Sequence, residues 1–156
     1  MLREGAKPKI FLRTLLFCTA ERGCVVEGMY VKLHNDGGTY LFDAWGYGET
    51  NKLVVGGGLF VPRSGVAFNH HFVLHRSEME FAFFGGDYRI EVFAKVLGRS
   101  EAIMLKEMDV VLEGNQGPTM AQVFDATAFF EWDIEAKRYI SSVERRPAPF
   151  GPTKSE

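Results

Sequence analysis

Four histidines are the side chains of this 156-residue chain best suited to holding a metal ion. His70, His71 and His75 lie within the segment NHHFVLH, and His34 lies well upstream of them. On a strand, His70 and His71 would point to opposite faces, while His71 and His75 would stand about 13 Å apart. That separation is too large for one ion, so we expect no metal and no cofactor. Should a metal bind, His71 and His75 are the candidate ligands.

Two cysteines, Cys18 and Cys24, flank a predicted turn with the sequence TAERG. Facing positions across a hairpin could bring them within disulfide distance, but disulfide geometry is strict and the bond is rare in the cytoplasm. The spacing also differs from the C-x-x-C spacing of redox enzymes. We favour two buried free thiols and keep the disulfide as the alternative.

Three aromatic side chains are the candidate binding residues. Trp45 and Tyr47 lie beside glycine-rich segments, where a flat ring could stack on a sugar or anchor a partner, and Trp132 lies in a late predicted strand. The alternative for both tryptophans is a place in the core. The glycine clusters match neither dinucleotide-binding nor phosphate-binding patterns, and the chain has no G-x-S-x-G motif. We therefore predict no catalytic residue, and an enzyme is disfavoured.

The composition indicates which elements must position these residues. Hydrophobic residues make up 46% of the chain and charged residues 24%, so the chain can bury a core. A 13% share of aromatic residues and 17 glycines favour short strands joined by turns. The net charge of −2 leaves no basic footprint for nucleic acid, and no apolar run is long enough for a membrane-spanning helix.

Period-two alternation and turn residues predict about eight to ten short strands in one domain, residues 9–145. We expect residues 1–8 to be a flexible N-terminus and residues 146–156 to be a disordered tail. Residues 100–106 have an ambiguous pattern, interpreted as a loop or helical turn before a strand that begins at Met108. The predicted strands cover residues 9–19, 25–34, 39–45, 59–62, 66–75, 79–84, 88–96, 108–112, 123–132 and 138–143. Residues 52–55, between two glycine clusters, are interpreted as an irregular connection, and Asn35-Asp36-Gly37-Gly38 predicts a hairpin turn.

The segment FAFFGGDYRIEVFAKVLG resembles the corner between strands E and F of immunoglobulin-like and fibronectin-III-like sandwiches. In that corner a tyrosine opens the second strand after a glycine or aspartate turn, and Tyr88 occupies this place. The resemblance implies an antiparallel β-sandwich, to which we add a C-terminal hairpin over Val123–Val143. It implies no functional residue, because this fold hosts many functions.

The strand after this corner has the clearest alternation in the chain. Ile90 and Val92 share a face with Tyr88, while Arg89 and Glu91 lie on the other face. We expect Ile90 and Val92 to be fully buried against an opposing sheet. That sheet should include Met29, Val31 and Leu33.

These observations favour a cytoplasmic, non-enzymatic binding or protein-interaction module, of which a homodimer through an exposed aromatic edge would be one form. A barrel-like carrier, with the fourteen phenylalanines lining a cavity for a small apolar ligand, is the alternative. A histidine-metal enzyme ranks third. The apolar stretch Ile10–Ala20 is interpreted as a first strand, with an export signal as its alternative because it follows basic residues. The expected partner is a protein or a small molecule rather than nucleic acid or a membrane.

Overall fold

A computed structural model of the protein describes residues 8–49, 52–55, 57–75, 81, 83, 85–112 and 126–145. All of the predicted flexible N-terminus, residues 1–8, except Pro8 lies outside these ranges, and so does the predicted tail 146–156. So does most of the predicted strand 79–84, of which Phe81 and Phe83 alone are described, both outside any strand.

Ten strands make up most of the described residues, among which there is no helix, and so none that could cross a membrane. Each strand pairing is antiparallel. The strands are β1 (Lys9–Leu16), β2 (Cys24–Asn35), β3 (Gly38–Tyr47), β4 (Val54–Val55), β5 (Leu59–Val61), β6 (Val66–Leu74), β7 (Gly86–Val96), β8 (Ile103–Leu112), β9 (Ala126–Asp133) and β10 (Arg138–Arg145).

Eight strands form one sheet in the order β1-β6-β3-β2-β7-β8, with β4 paired to β3 and β5 to β2. This sheet curls into a half-barrel. β9 and β10 form a separate hairpin, and β10 lies beside β8. The antiparallel all-β fold and the C-terminal hairpin are thereby confirmed, with the hairpin over Ala126–Arg145. The immunoglobulin-like sandwich stays a prediction, because one curled sheet and one hairpin do not establish that layout.

The turn between β2 and β3 has the chemistry that its sequence predicts. Two residues, Asp36 and Gly37, connect the strands, and the Asn35 side-chain Oδ1 accepts a hydrogen bond from the Gly37 N–H at 2.8 Å. Gly38 follows with a φ of 139°, which favours glycine. The predicted hairpin turn is therefore confirmed.

The concave side of the half-barrel holds the core, and β7 contributes to it as predicted. Tyr88, Ile90 and Val92 are buried, while Arg89 on the opposite face is exposed. On the convex side the outward Phe93 stacks on Tyr30 of β2, with ring centroids 5.0 Å apart. The predicted faces of β7 are therefore confirmed.

The predicted packing of β7 against Met29, Val31 and Leu33 in an opposing sheet is wrong. These residues lie on β2, the neighbour of β7 in the same sheet, where Val31 pairs with Val92 and Leu33 with Ile90. Paired residues of adjacent strands point to one face, so they lie side by side on the concave surface. The partly buried residues that pack against this surface from outside the sheet include Phe81, Phe83, Phe130 and Tyr139.

β8 begins earlier than its sequence predicts. The strand starts at Ile103 rather than Met108, so the predicted loop or helical turn is confirmed over residues 100–102 but wrong over residues 103–106. The reason is a register shift: Lys106 pairs with Val92 but Met104 pairs with Phe93, which leaves one extra residue in β8. Such a bulge interrupts the period-two pattern and imitates helical spacing.

Candidate functional site

A bulge in β3 decides where Trp45 points. The pairing of β3 with β6 shifts register between Phe42 and Ala44. Asp43 and Ala44 are consequently both exposed, and Trp45 returns to the concave side, where it is buried. Trp45 therefore lies in the core, which is the alternative that its sequence leaves open, rather than on a binding surface.

Trp45 and Tyr47 are both held by hydrogen bonds. The Trp45 Nε1–H donates to His70 Nδ1 at 3.1 Å. The half-buried Tyr47 donates its hydroxyl hydrogen to the carbonyl oxygen of Gly58 at 2.8 Å. These contacts tie β3 to β6 and to the segment before β5, so both rings serve the internal packing of the half-barrel.

His70 is a neutral core histidine in this arrangement. Its side chain has 0% exposure, and burial lowers its pKa to about 4, with a smaller effect from the neighbouring His71. Because an indole N–H can only donate, His70 Nδ1 must accept, which assigns the ring hydrogen to Nε2. Nε2 has no hydrogen-bond partner among the described residues. His70 is therefore uncharged at neutral pH and closed to solvent.

His71 and His75 lie on the opposite, convex side of β6, as the alternation predicts. His71 packs edge-on against Phe11, with ring centroids 4.8 Å apart. His75 Nδ1 lies 2.7 Å from Asp43 Oδ2. Within the described ranges, no group of three or more His, Cys, Asp or Glu side chains is arranged to hold a metal ion.

A charged, open depression of about 600 Å³ lies where β2, β7 and β8 meet. On its rim His34 Nε2 lies 3.0 Å from Glu91 Oε2, and Arg89 Nε lies 3.1 Å from Asp109 Oδ1 and 3.3 Å from Glu107 Oε1. Both basic side chains are thus already paired with carboxylates. The depression offers a ligand little uncompensated positive charge.

Thr39 places a hydroxyl beside this cluster, because its Oγ1 lies 2.7 Å from His34 Nδ1, but His34 Nε2 makes no hydrogen bond with the nearby Glu91 carboxylate. A connected hydroxyl–imidazole–carboxylate chain can activate a nucleophile when the hydroxyl faces bound substrate. Thr39 is exposed on the hairpin and does not line the depression. The geometry therefore gives a nucleophilic enzyme little support.

Trp132, the third sequence-predicted binding residue, lies on the C-terminal hairpin. Its side chain is 55% exposed, and its ring contacts Tyr139 edge-on with centroids 5.2 Å apart. It lies on a different sheet from Trp45 and Tyr47. The structure thus distributes the three predicted residues over two strands: Trp45 and Tyr47 lie on β3 in the packed interior, and Trp132 lies on β9 at the surface.

The clearest surface feature is the free edge of β1, which pairs only with β6 among the described strands. The Leu74 N–H donates a hydrogen bond to the Pro8 carbonyl oxygen, so Pro8 is attached to β6. Pro8 and Leu74 are therefore a pair of the hydrogen-bonded type. Such pairs alternate along an antiparallel ladder. The backbone groups of the even-numbered residues of β1 therefore face β6, and those of the odd-numbered residues face away.

Contacts on the other side of β6 agree with this alternation. The Asn69 carbonyl accepts a hydrogen bond from the N–H of Gly48, which directly follows β3. The His75 N–H donates a hydrogen bond to the carbonyl of Leu41, which lies in β3. Odd-numbered residues of β6 thus face β3, and even-numbered residues face β1. The outward backbone groups of β1 belong to Lys9, Phe11, Arg13 and Leu15.

The same odd-numbered positions carry an apolar row on the convex face. Phe11 is 49% exposed, Leu15 is 66% exposed and Phe17, just beyond the strand, is 68% exposed. Large apolar side chains in a row beside unpaired backbone groups are what natural sheet edges usually avoid, since they promote strand pairing. We call the outward backbone and side chains of residues 9–17 the β1 edge.

A disulfide bond joins Cys18, directly after this edge, to Cys24 at the start of β2. The prediction of two free thiols is therefore wrong. The turn brings the two Cα atoms to a separation of 5.9 Å, within the usual range for a disulfide. Gly23 permits this turn, since its φ is 76° and a Cβ there would lie 2.8 Å from the Val61 carbonyl oxygen. The bond anchors the end of the exposed row to the body of the sheet.

The comparisons with known proteins bring no relative: no family model, no curated protein and no solved structure matches this chain.

β1 is predicted as a strand by its sequence, but its place at the edge of the sheet is not. The signal was present in KIFLRTLLF, where large apolar residues occupy both alternating faces and basic residues recur at Lys9 and Arg13. An interior strand with two covered faces would have the same pattern. Only the strand order places this segment at an edge.

Proposed function

We propose that the protein is a non-enzymatic protein-interaction module that binds a partner protein by adding one of its strands to the β1 edge. The observation that carries the proposal is the outward direction of the backbone groups of Lys9, Phe11, Arg13 and Leu15 beside the exposed apolar row. In strand addition, main-chain hydrogen bonds supply affinity and alternate side chains supply specificity. The β1 edge presents both.

The other functions considered from the sequence have less support. A carrier needs an open apolar interior, but Phe42 and Phe72 at the centre of the half-barrel are fully buried. The depression is lined mainly by polar and charged residues rather than by phenylalanine. For an enzyme, the nearest arrangement is the cluster of Thr39, His34 and Glu91, whose hydroxyl does not face the depression.

A peptide panel tests the proposal. Three fluorescein-labelled peptides share the pattern Val-Thr-X-Thr-Val-Thr-X-Thr, with X as Gln, Glu or Lys, and their binding is followed by fluorescence anisotropy. We expect at least one peptide to bind the wild-type protein. The variant Arg13→Pro should bind it at least tenfold more weakly, because proline lacks the outward N–H but leaves the bonds to β6 intact.

Arg13→Ala is the matched control for this experiment. It removes the same side chain as Arg13→Pro but keeps the backbone N–H, so it separates backbone pairing from charge. Thermal melts of both variants confirm that they are folded. Absence of binding by all three peptides, or equal binding by Arg13→Pro and Arg13→Ala, would contradict strand addition at β1.

A further inference from the structure

The side chains of the β1 edge have a simple chemical pattern. Lys9, Phe11, Arg13 and Leu15 occupy one face of the strand in the order basic, apolar, basic, apolar. Residues two apart on a strand lie on the same face, so the two basic groups stand about 13 Å apart with an aromatic ring between them. An added strand would meet this row along its whole length.

The positive charges of this row are not compensated within the described residues. Neither Lys9 nor Arg13 has a carboxylate oxygen within ion-pair distance in that part of the chain. The Arg13 Nε–H donates to Asn69 Oδ1 at 3.1 Å, which leaves the terminal nitrogens of the guanidinium for other acceptors. At the opposite end of the sheet, by contrast, Arg89 is held by both Glu107 and Asp109.

From this arrangement we infer the chemistry of the partner, an inference that rests on the proposed function. The segment that pairs with β1 is an extended strand of another protein whose side chains on the convex face alternate carboxylate with apolar. Its carboxylates, four residues apart, lie opposite Lys9 and Arg13, and its apolar residues lie opposite Phe11 and Leu15. Directly opposite residues have Cβ atoms about 4.5–5.5 Å apart, close enough for both kinds of pair.

A second copy of β1 fits this edge less well. Pairing about a two-fold axis at Arg13 would place the two guanidinium groups opposite each other. An axis at Leu12 would place Arg13 opposite Phe11 and Lys9 opposite Leu15, which leaves all four positive charges of the dimer without a carboxylate. Like charges on paired strands are destabilising, so the charge pattern favours an acidic strand.

A lipid surface also fits the edge less well. Basic and aromatic side chains suit an anionic interface, but no hydrogen-bonding partner for an outward N–H or C=O exists in the hydrocarbon region. A strand satisfies both the side chains and the backbone groups of the same four residues. The backbone therefore favours a protein partner.

The three peptides defined above test the partner's chemistry at low and high salt. We expect the Glu peptide to bind the wild-type protein about tenfold more tightly than the Lys peptide, with the difference shrinking as salt is raised. Arg13→Glu should weaken binding of the Glu peptide and strengthen binding of the Lys peptide. Arg63→Glu, which changes an exposed arginine on the turn before β6, should leave the preference unchanged.

Each other outcome would overturn the inference in a recognisable way. If the Lys peptide binds as tightly as the Glu peptide, or more tightly, and Arg13→Pro abolishes this binding, the acidic partner is refuted but strand addition is retained. Sedimentation as a dimer that Arg13→Pro converts to monomer would assign the edge to a second copy. Binding to phosphatidylserine vesicles that Phe11→Ser abolishes, with no peptide bound, would overturn the inference and the proposed function together.

Discussion

At the scale of single residues, His70 makes the stability of the fold dependent on pH. Its pKa is about 4 in the folded protein, against an ordinary value of 6.5, mainly because it is buried. Between these values the unfolded chain binds the proton and the folded chain does not, so the free energy of unfolding falls as the pH falls from 6.5 towards 4. The full loss is about 3 kcal/mol.

The variant His70→Gln tests this contribution, since an amide oxygen can still accept from Trp45 Nε1 but does not titrate. Urea unfolding at pH 7 and pH 4.5 should show a smaller loss of stability in His70→Gln than in the wild type. His75→Gln, which removes a partly exposed imidazole outside the core, is the control and should retain more of the wild-type pH dependence than His70→Gln. An unchanged pH dependence in His70→Gln would show that the buried ring is not its source.

His71 reports the positive charge of the β1 edge. Burial lowers its pKa most, a hydrogen bond with the Gly48 backbone opposes this, and the charge of Lys9 lowers it further. Lys9→Gln removes the positive charge of Lys9, so we expect the pKa of His71 to rise. An NMR titration of the imidazole Cε1–H measures it, with Lys95→Gln on β7 as the control. A lower or unchanged value would mean that Lys9 does not influence this face.

At the scale of elements, β7 tests the assignment of faces. Ile90→Ala should lower the free energy of unfolding by about 2–5 kcal/mol, because it leaves a cavity on the concave side. Arg89→Ala should cost far less, since its ion pairs with Glu107 and Asp109 are exposed to solvent. Denaturant melts compare the two. An equal cost for Arg89→Ala would reveal that the convex face is also covered.

The disulfide directly after β1 provides a second prediction at the scale of elements. Cys18 and Cys24 are six positions apart, and closing so short a loop should stabilise the fold by about 2 kcal/mol. Urea unfolding with and without reductant should therefore differ by this amount in the wild type. The double variant Cys18→Ala/Cys24→Ala should be insensitive to reductant and should match the reduced protein. A wild type unaffected by reductant would argue that the thiols are free.

The elements that could be predicted from the sequence are those with local signals. The alternation of β7 and the Asp36-Gly37 turn were identified because period and turn chemistry act over a few residues. The sequence predicts too short a β8, because the bulge opposite Val92 and Phe93 interrupts its alternation. The sequence does not place Val31 in the correct sheet, since alternation specifies a face but not the neighbouring strand.

At the scale of the whole molecule, the candidate site follows from strand order rather than from any motif. Trp45 and Tyr47 have the residue types of binding sites, but a bulge and two hydrogen bonds place them in the interior. Phe11 and Leu15 have the residue types of a core, but β1 lies at the end of the sheet. Long-range pairing decides both outcomes, and a single sequence carries little information about it.

Amide hydrogen exchange along β1, resolved by NMR, tests strand addition most directly. In the free protein the N–H groups of Leu12 and Thr14 should exchange slowly because they face β6, while those of Phe11 and Arg13 should exchange fast. Saturation with the Glu peptide should slow exchange at Phe11 and Arg13 and leave their even-numbered neighbours unchanged. Peptide binding that leaves Phe11 and Arg13 exchanging as fast as before would contradict a partner strand on this edge.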